Sequence, residues 1–321
     1  MNTISPSHLS TTAVAAAMLL GIAIAIAETP PPGATLVEAS KDRPFINSIG
    51  MRFVPAGTPG VLFGVWETRV QDFAAFVRET GHDAICDSAF GEPAFTLEKA
   101  PRVKSAEWLQ KGGSWNDPRF PNEARQSDHH PVVCVSPLDA GAFCLWLTDK
   151  EREEGTIPED ARYRLPTDDE WSRACGKSRY PWGNTFPPGS DDGNYSGTEA
   201  MIGEYEAFTD KLVKLRRKDT APRTAPVGSF RENAFGLFDM GGNVWEWCDT
   251  WYLAGMNESR ILTEIPGLKD DLDGEGYRVL RGAGWNDRTE ITMRTALRDR
   301  DTPRYRRDDY GFRCVLSTGS R

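Results

Sequence analysis

Residues 236–247 read GLFDMGGNVWEW, the most particular stretch of this 321-residue chain. Two carboxylates, Asp239 and Glu246, flank a glycine-rich turn whose backbone carbonyls can point inward. A hard cation such as calcium takes about six to eight oxygen ligands, typically carboxylates and backbone carbonyls. From these residues alone, either the two carboxylates bind such a cation or they cap the turn.

Four further stretches surround this one and are equally particular. They are RLPTDDEW (164–171), YPWGN (180–184), RVLRGAGW (278–285) and GFRC (311–314). The composition, with 30 Gly, 22 Pro and 10 Trp, predicts many turns and a core of large aromatic side chains.

Local patterns predict a few regular elements between long irregular segments. Short strands are expected at Met51–Val54 and Val61–Trp66, where apolar and β-branched residues cluster. Three helices are expected from their caps: one opening at or beside Thr68 and stopping at Gly81, one after Ser136 with Pro137 in its first turn, and one after Thr167 with a capping box. Residues 83–131 and 180–230 show little periodicity, and a loop as long as 180–230 is usually functional or is held by something other than a strand ladder.

The amino terminus predicts export. Residues 14–27 (VAAAMLLGIAIAIA) are apolar and end in Ala25-Ile26-Ala27, small residues that suit a signal peptidase. We therefore assign 1–27 to a signal peptide, 28–46 to a linker, 47–316 to one domain and 317–321 to a tail, with no transmembrane segment after cleavage. The segment before residue 14 has no Lys or Arg, so a retained membrane anchor stays open. The expected location is the periplasm or the outside of the cell.

Charge and cysteine content narrow the class of protein. A formal net charge of −9 disfavours nucleic-acid binding. Six cysteines in an exported chain suggest disulfides, and no pair stands as CxxC, which argues against a redox motif or a zinc knuckle.

In this order and at these spacings, the five stretches resemble the formylglycine-generating enzyme (sulfatase-modifying factor) family. The likeness extends upstream to Glu67-Thr68 and to HPVV (130–133), and so covers about residues 47–316. The resemblance implies an α+β fold, a variant of the C-type lectin fold with much irregular loop.

The resemblance also implies calcium as a structural cofactor and one disulfide. One calcium site would use the Asp239 and Glu246 side chains with the carbonyls of Gly242 and Val244. The other would use Asn194 and Asp219 with the carbonyls of Tyr195 and Ala221. Cys144 and Cys314 match a family disulfide. Cys175 matches half of another, but its partner position is Leu297.

One departure from the family decides the expected function. Its oxidising members hold Cu(I) through two cysteine thiolates, and those positions are Asp287 and Thr292 here, with Gly284 in place of a nearby serine. Copper and formylglycine formation are therefore not expected.

Two readings of the function follow. The first is a binding or scaffolding module whose groove, lined by Trp245, Trp285 and Asp287, holds a peptide, glycan or small molecule. The alternative is a periplasmic oxidoreductase with different chemistry, siderophore-maturation-like or metal-dependent, in which Asp287 acts as a base. The plainer alternative for Asp287 is a solvated loop residue. An iron site with three histidine ligands is disfavoured, because the side chains of the adjacent His129 and His130 point apart.

Overall fold

The computed structural model describes residues 35–82, 84, 94–97, 109–120, 125–196, 221–252 and 276–319. Within these ranges the chain forms three helices and eleven short strands. The helices are α1 (Val70–Thr80), α2 (Pro137–Glu153) and α3 (Asp168–Cys175). The strands are β1 (Phe45–Ile46), β2 (Arg52–Pro55), β3 (Val61–Gly64), β4 (Ala94–Leu97), β5 (Leu109–Gly113), β6 (Arg162–Arg164), β7 (Trp245–Trp251), β8 (Arg278–Arg281), β9 (Asp299–Asp301), β10 (Tyr310–Gly311) and β11 (Val315–Ser317).

The helix ends follow the local signals in the sequence. The Ser136 hydroxyl accepts the Asp139 N–H, and the Asp139 carboxylate accepts the Ser136 N–H at 2.7 Å, so two otherwise unpaired donors of the α2 terminus are satisfied. Thr167 and Glu170 form the same box before α3. Gly81 ends α1 at φ 69° and donates its N–H to the Val77 carbonyl. The three predicted helices are confirmed, and α1 starts two residues after Thr68.

The strands form three sheets of mixed direction, which confirms an α+β architecture. The largest sheet has the order β1-β2-β3-β11-β6, with β11 antiparallel to both neighbours. A second has the order β10-β7-β8-β9, in which β10 and β7 run parallel. A third pairs β4 with β5. The predicted strands at Met51–Val54 and Val61–Trp66 correspond to β2 and β3.

Aromatic side chains fill the core between the first two helices and the main sheet. Phe143 of α2 lies 6.0 Å from Phe73 of α1 in a stacked arrangement and 5.6 Å from Phe312 edge-on, measured between ring centroids. All three side chains are fully buried. Burying a side chain of this size contributes about 2–3 kcal/mol, so this contact fixes the helices against the end of the chain.

The packed domain starts earlier than the sequence suggested. β1 lies inside the predicted linker 28–46, and Phe45 packs in the core opposite Phe53 of β2. The linker therefore ends before Phe45. The predicted signal peptide lies outside the described residues, and among those that are described no helix combines the length and hydropathy needed to cross a bilayer.

Candidate functional site

Glu246 on β7 lies at the centre of a fully buried charge network. Its carboxylate accepts three hydrogen bonds from the Arg313 guanidinium, at 2.6, 2.8 and 2.9 Å, and one from Trp171 Nε1 at 2.8 Å. Neither Glu246 nor Arg313 has any exposed surface. Charge-assisted bonds of this kind are the strong ones, and both Glu246 oxygens are already used in them.

Asp239 and Glu67 bring two more carboxylates to the same buried region. Asp239 Oδ2 accepts the Gly228 N–H at 2.7 Å, and Oδ1 has no hydrogen-bond partner among the described residues. Burial raises the pKa of Asp239 to about 6, and the Glu246 charge adds to the effect. Burial also raises the pKa of Glu67 well above its ordinary value, and the charges of Asp239 and Glu246 raise it further.

Asn243 joins this network to the loop that contains Asn194. Its Nδ2 donates to Glu67 Oε2 at 2.6 Å, and its Oδ1 accepts from Asn194 Nδ2 at 3.1 Å. Asn243 itself adopts a left-handed conformation at φ 65°. Gly242 before it has φ 82°, and a Cβ there would lie 2.4 Å from the Asn194 carbonyl oxygen. Only glycine therefore allows the two loops to approach this closely.

The second predicted calcium site is partly described. Asn194 is fully buried, and its Oδ1 finds no hydrogen-bond partner in the described ranges. Tyr195 and Ala221, the expected carbonyl ligands, are both described. Asp219 lies outside the described residues.

These observations support a cation bound by some of the predicted ligands, but they do not support every predicted ligand. Asp239 and Asn194 each offer a buried, unused oxygen, which is the kind of group calcium accepts. Glu246 has no oxygen to spare while it is bound to Arg313. No cluster of three or more His, Cys, Asp or Glu side chains in the described parts of the chain could hold a metal. A calcium ion would therefore depend largely on amide and backbone oxygens.

The structure describes Asp287 and Thr292, the two residues that the resemblance puts at the positions of the copper cysteines. Asp287 Oδ2 accepts the Gly284 N–H at 2.8 Å, and the Thr292 hydroxyl donates to the Thr289 carbonyl at 3.0 Å. Burial raises the pKa of Asp287 to about 6. The Gly284 N–H lowers the pKa of Asp287, and the Asp309 charge raises it. The two positions thus carry a carboxyl and a hydroxyl, with no thiol.

The two tryptophans of the predicted groove are more enclosed than the sequence suggested. Trp245 is 4% exposed and Trp285 is 5% exposed, whereas Asp287 is half-buried. Gly284 directly precedes Trp285, and a Cβ there would lie 3.2 Å from Trp245 Cδ1 and 3.3 Å from Asp309 Cβ. A serine at position 284 would be crowded. Asp287 is thus the most accessible of the three predicted groove residues.

All five described cysteines are buried free thiols in the structure: Cys134, Cys144, Cys175, Cys248 and Cys314. The sulfur atoms of Cys144 and Cys314 lie 3.4 Å apart. Cys175 Sγ lies within 3.9 Å of Thr295 Oγ1, and burial raises its pKa to about 12. Burial likewise raises the pKa of Cys134 and Cys248, so these thiols are not nucleophiles at neutral pH. Cys86 lies outside the described residues.

Sequence reasoning missed the roles of two charged residues and one amide of the site. Arg313 and Asn243 lie inside quoted stretches, but the contacts that they and Asp309 make gave no pattern signal, because their partners lie far away in the chain. Glu67 was noticed only as part of the family likeness. An isolated acidic residue three positions after an apolar strand, as Glu67 is after β3, is the one signal that could have identified it.

The chain is similar to known proteins over most of its length. Residues 64–318 match the model of the sulfatase-modifying factor enzyme 1-like domain. The formylglycine-generating enzyme of Streptomyces coelicolor is 31% identical, over 80% of each chain. The mouse protein named inactive C-alpha-formylglycine-generating enzyme 2 is also 31% identical, over 78% of this chain and 72% of its own.

A solved structure has the same general fold. PvdO from Pseudomonas aeruginosa superposes with a TM-score of 0.53 at 19% identity, over 90% of this chain and 100% of that one. At this identity the match reports on the fold alone.

Proposed function

Because this chain belongs to the family of sulfatase-modifying factor enzyme 1-like domains, we propose that it is an exported, calcium-stabilised binding module that does not generate formylglycine. The proposal rests on Asp287 and Thr292, which the family resemblance puts at the positions of the copper cysteines. We take the fold to be the family's variant of the C-type lectin fold. The similarity to a mouse relative that is named inactive fits this reading.

The chemical reason is the mismatch between the site and Cu(I). A carboxylate and a hydroxyl are hard ligands, whereas Cu(I) selects thiolates. Neither group can form a mixed disulfide with a substrate cysteine. The described thiols are buried in the core and cannot replace them.

A second function is favoured by one observation, the half-buried position of the Asp287 carboxyl, which accepts the Gly284 N–H. A half-buried carboxyl with a pKa of about 6 is suited to take up a proton near neutral pH. This supports the alternative of an oxidoreductase in the same groove with different chemistry. Such an enzyme would need an external oxidant and would still not use copper bound to thiolates.

The test is incubation of the purified protein with Cu(I), oxygen and a sulfatase-derived cysteine peptide, followed by mass spectrometry. We expect the peptide to remain unmodified, while the Streptomyces coelicolor enzyme, as the positive control, converts it. The D287C/T292C double variant should regain Cu(I) binding and yet not turnover, because Gly284 provides no hydroxyl. Cysteine-to-aldehyde conversion by the unmutated protein, above a control without protein, would refute the proposal.

The proposal for calcium is supported by the unused oxygens of Asp239 and Asn194. A ligand that binds only the folded state stabilises it by about 2.7 kcal/mol at a hundredfold excess over its Kd. Export is supported by the apolar segment 14–27. Amino-terminal sequencing of the protein from the periplasm should give Glu28 as its first residue, and a chain that still begins at Met1 would contradict cleavage.

A further inference from the structure

An apolar groove lies between the outer face of α2 and strand β6. It has a volume of about 690 Å³, and its apolar lining consists mainly of Leu138, Leu145 and Leu165 with the buried thiols of Cys144 and Cys248. Apart from Cys248, these residues lie well inside the described range 125–196. Ligand pockets usually measure about 300–1,000 Å³ and are mostly apolar, so this groove has the size and character of a site for a small molecule.

The apolar wall is a stripe along one face of α2. Leu138, Gly141 and Leu145 follow one another at three and four residues, the spacing that puts side chains on the same helix face. Leu145 is 63% exposed and Leu138 is 38% exposed, so two large apolar side chains face solvent here. At about 1.5 Å per residue, they lie about 10 Å apart along the helix axis.

Gly141 opens the space between the two leucines. It lies in the interior of α2, where glycine is the least favourable residue after proline. A Cβ at this position would meet no atom within 4 Å, so the packing of the chain on itself gives no reason for a glycine here. The missing side chain leaves room for a slender apolar group to lie against the helix.

One end of the groove is positively charged. There the Tyr163 N–H of β6 donates to Thr148 Oγ1 of α2 at 2.9 Å. The Arg152 guanidinium donates to the Ala161 carbonyl at 3.0 and 3.2 Å, which fixes Arg152 through a neutral partner. Arg162 is exposed, and its side chain forms no ion pair with any described residue. Both arginines therefore keep their charge without a carboxylate partner in the described parts of the chain.

The other two arginines of the lining are neutralised by carboxylates. Arg278 donates to Asp249 at 2.7 Å, and Arg164 donates to both oxygens of Glu170 at 2.7 Å. The groove is thus apolar along α2 and positive at one end, in a chain whose net charge is −9. A ligand that matches both features has an apolar tail and one anionic head group.

We propose that this groove binds a single-chain anionic amphiphile, a free fatty acid by its chemistry. The tail lies over Gly141 between Leu138 and Leu145, and the head group lies at Arg152 and Arg162. The expected source is a free molecule rather than a bilayer, because the apolar surface is a groove between two elements and not a protruding face.

This site is separate from the one that carries the proposed function. None of Trp245, Trp285 and Asp287 lines the groove beside α2. The inference therefore goes beyond the proposed function and does not depend on it.

The test is isothermal titration of the full mature chain with sodium decanoate, below the concentration at which decanoate forms micelles. We expect one saturable site with a Kd on the order of 0.1 mM. Decyltrimethylammonium, which has the same tail and a cationic head, should bind at least about tenfold more weakly. Absence of saturable decanoate binding, or equal affinity for the two amphiphiles, overturns the proposal. Sedimentation with phosphatidylglycerol vesicles without decanoate binding would also overturn it, in favour of a bilayer surface.

Two variants probe the two halves of the site. G141L fills the groove, and because a side chain there meets no other atom and leucine favours a helix, the variant should fold as well as the native chain. It should weaken decanoate binding at least about tenfold, and thermal unfolding checks that it is folded. R162Q removes a charge without a carboxylate partner and should weaken binding about fivefold.

The matched controls lie on α3, at an exposed arginine paired with Asp169. R173L adds the same leucine and R173Q removes the same charge away from the groove, and both should leave binding within about twofold. Unchanged binding by a folded G141L, or equal weakening by R162Q and R173Q, would refute the site. The assay contains no copper and no cysteine peptide, so its failure leaves the proposal on formylglycine untouched.

Discussion

Glu246 and Arg313 form a buried ion pair, and removing one partner should cost less stability than removing the other because of the charges around them. Removing one partner of a buried ion pair costs about 3–5 kcal/mol, because the other charge stays buried. In E246Q, the Arg313 guanidinium still has Glu67 and Asp239 nearby, and both charges act on its pKa. E246Q should therefore lower the free energy of unfolding by about 3 kcal/mol, the lower end of that range.

R313M should cost more than E246Q. It leaves three buried carboxylates, Glu67, Asp239 and Glu246, without their guanidinium. It also removes the donors to the carbonyls of Gly64 and Phe238, at 3.1 and 2.9 Å. Each unsatisfied buried carbonyl adds about 1 kcal/mol or more, so the loss should reach about 5 kcal/mol or above.

The assay is equilibrium unfolding in urea followed by tryptophan fluorescence, in chelator and in excess calcium. The double variant E246Q/R313M should be less destabilised than the sum of the two single variants. R173M and D169N, at an exposed pair on α3, serve as controls and should stay within about 0.5 kcal/mol. If E246Q costs as much as R313M, or if the two losses are additive, the pair is not coupled as described.

Three further predictions concern the metal, the disulfide and the groove. A chelator should lower the Tm, and D239A, which removes the unused Oδ1, should abolish most of that difference; an unchanged melting curve would remove the calcium proposal. Cys144 and Cys314 should be found bonded by nonreducing peptide mapping of protein from an oxidising compartment, contributing about 5 kcal/mol or less across their 170-residue separation, and two free thiols would disprove the pairing. Asp287 should titrate near pH 6 in a carboxyl ¹³C NMR difference between the native chain and D287N, and an ordinary value near 4 would contradict its burial. Because its folded pKa is raised, its contribution to stability is present below pH about 4 and is lost as the pH rises through about 6.

The sequence predicts local features well and distant contacts poorly. The caps at Ser136 and Thr167 are visible because both partners of each hydrogen bond lie three residues apart. The contact of Asn243 with Glu67 joins residues 176 positions apart, and no periodicity encodes it. The same reason hides the stacking of Arg223 on Trp285. Only the family likeness connected such distant residues before the structure did.

The place of β11 has a consequence for how the chain reaches its folded state. It is a central strand of the main sheet, yet its partners β3 and β6 are synthesised long before it, and Thr318 bonds to a carbonyl 258 residues upstream at Gly60. Until β11 arrives, both partners present open edges of the kind that pair with other chains. Closing so long a loop is slow, and a chain delivered amino terminus first must wait for its last segment. A chaperone that covers the open edges of β3 and β6 until β11 is made would therefore raise the yield of folded protein.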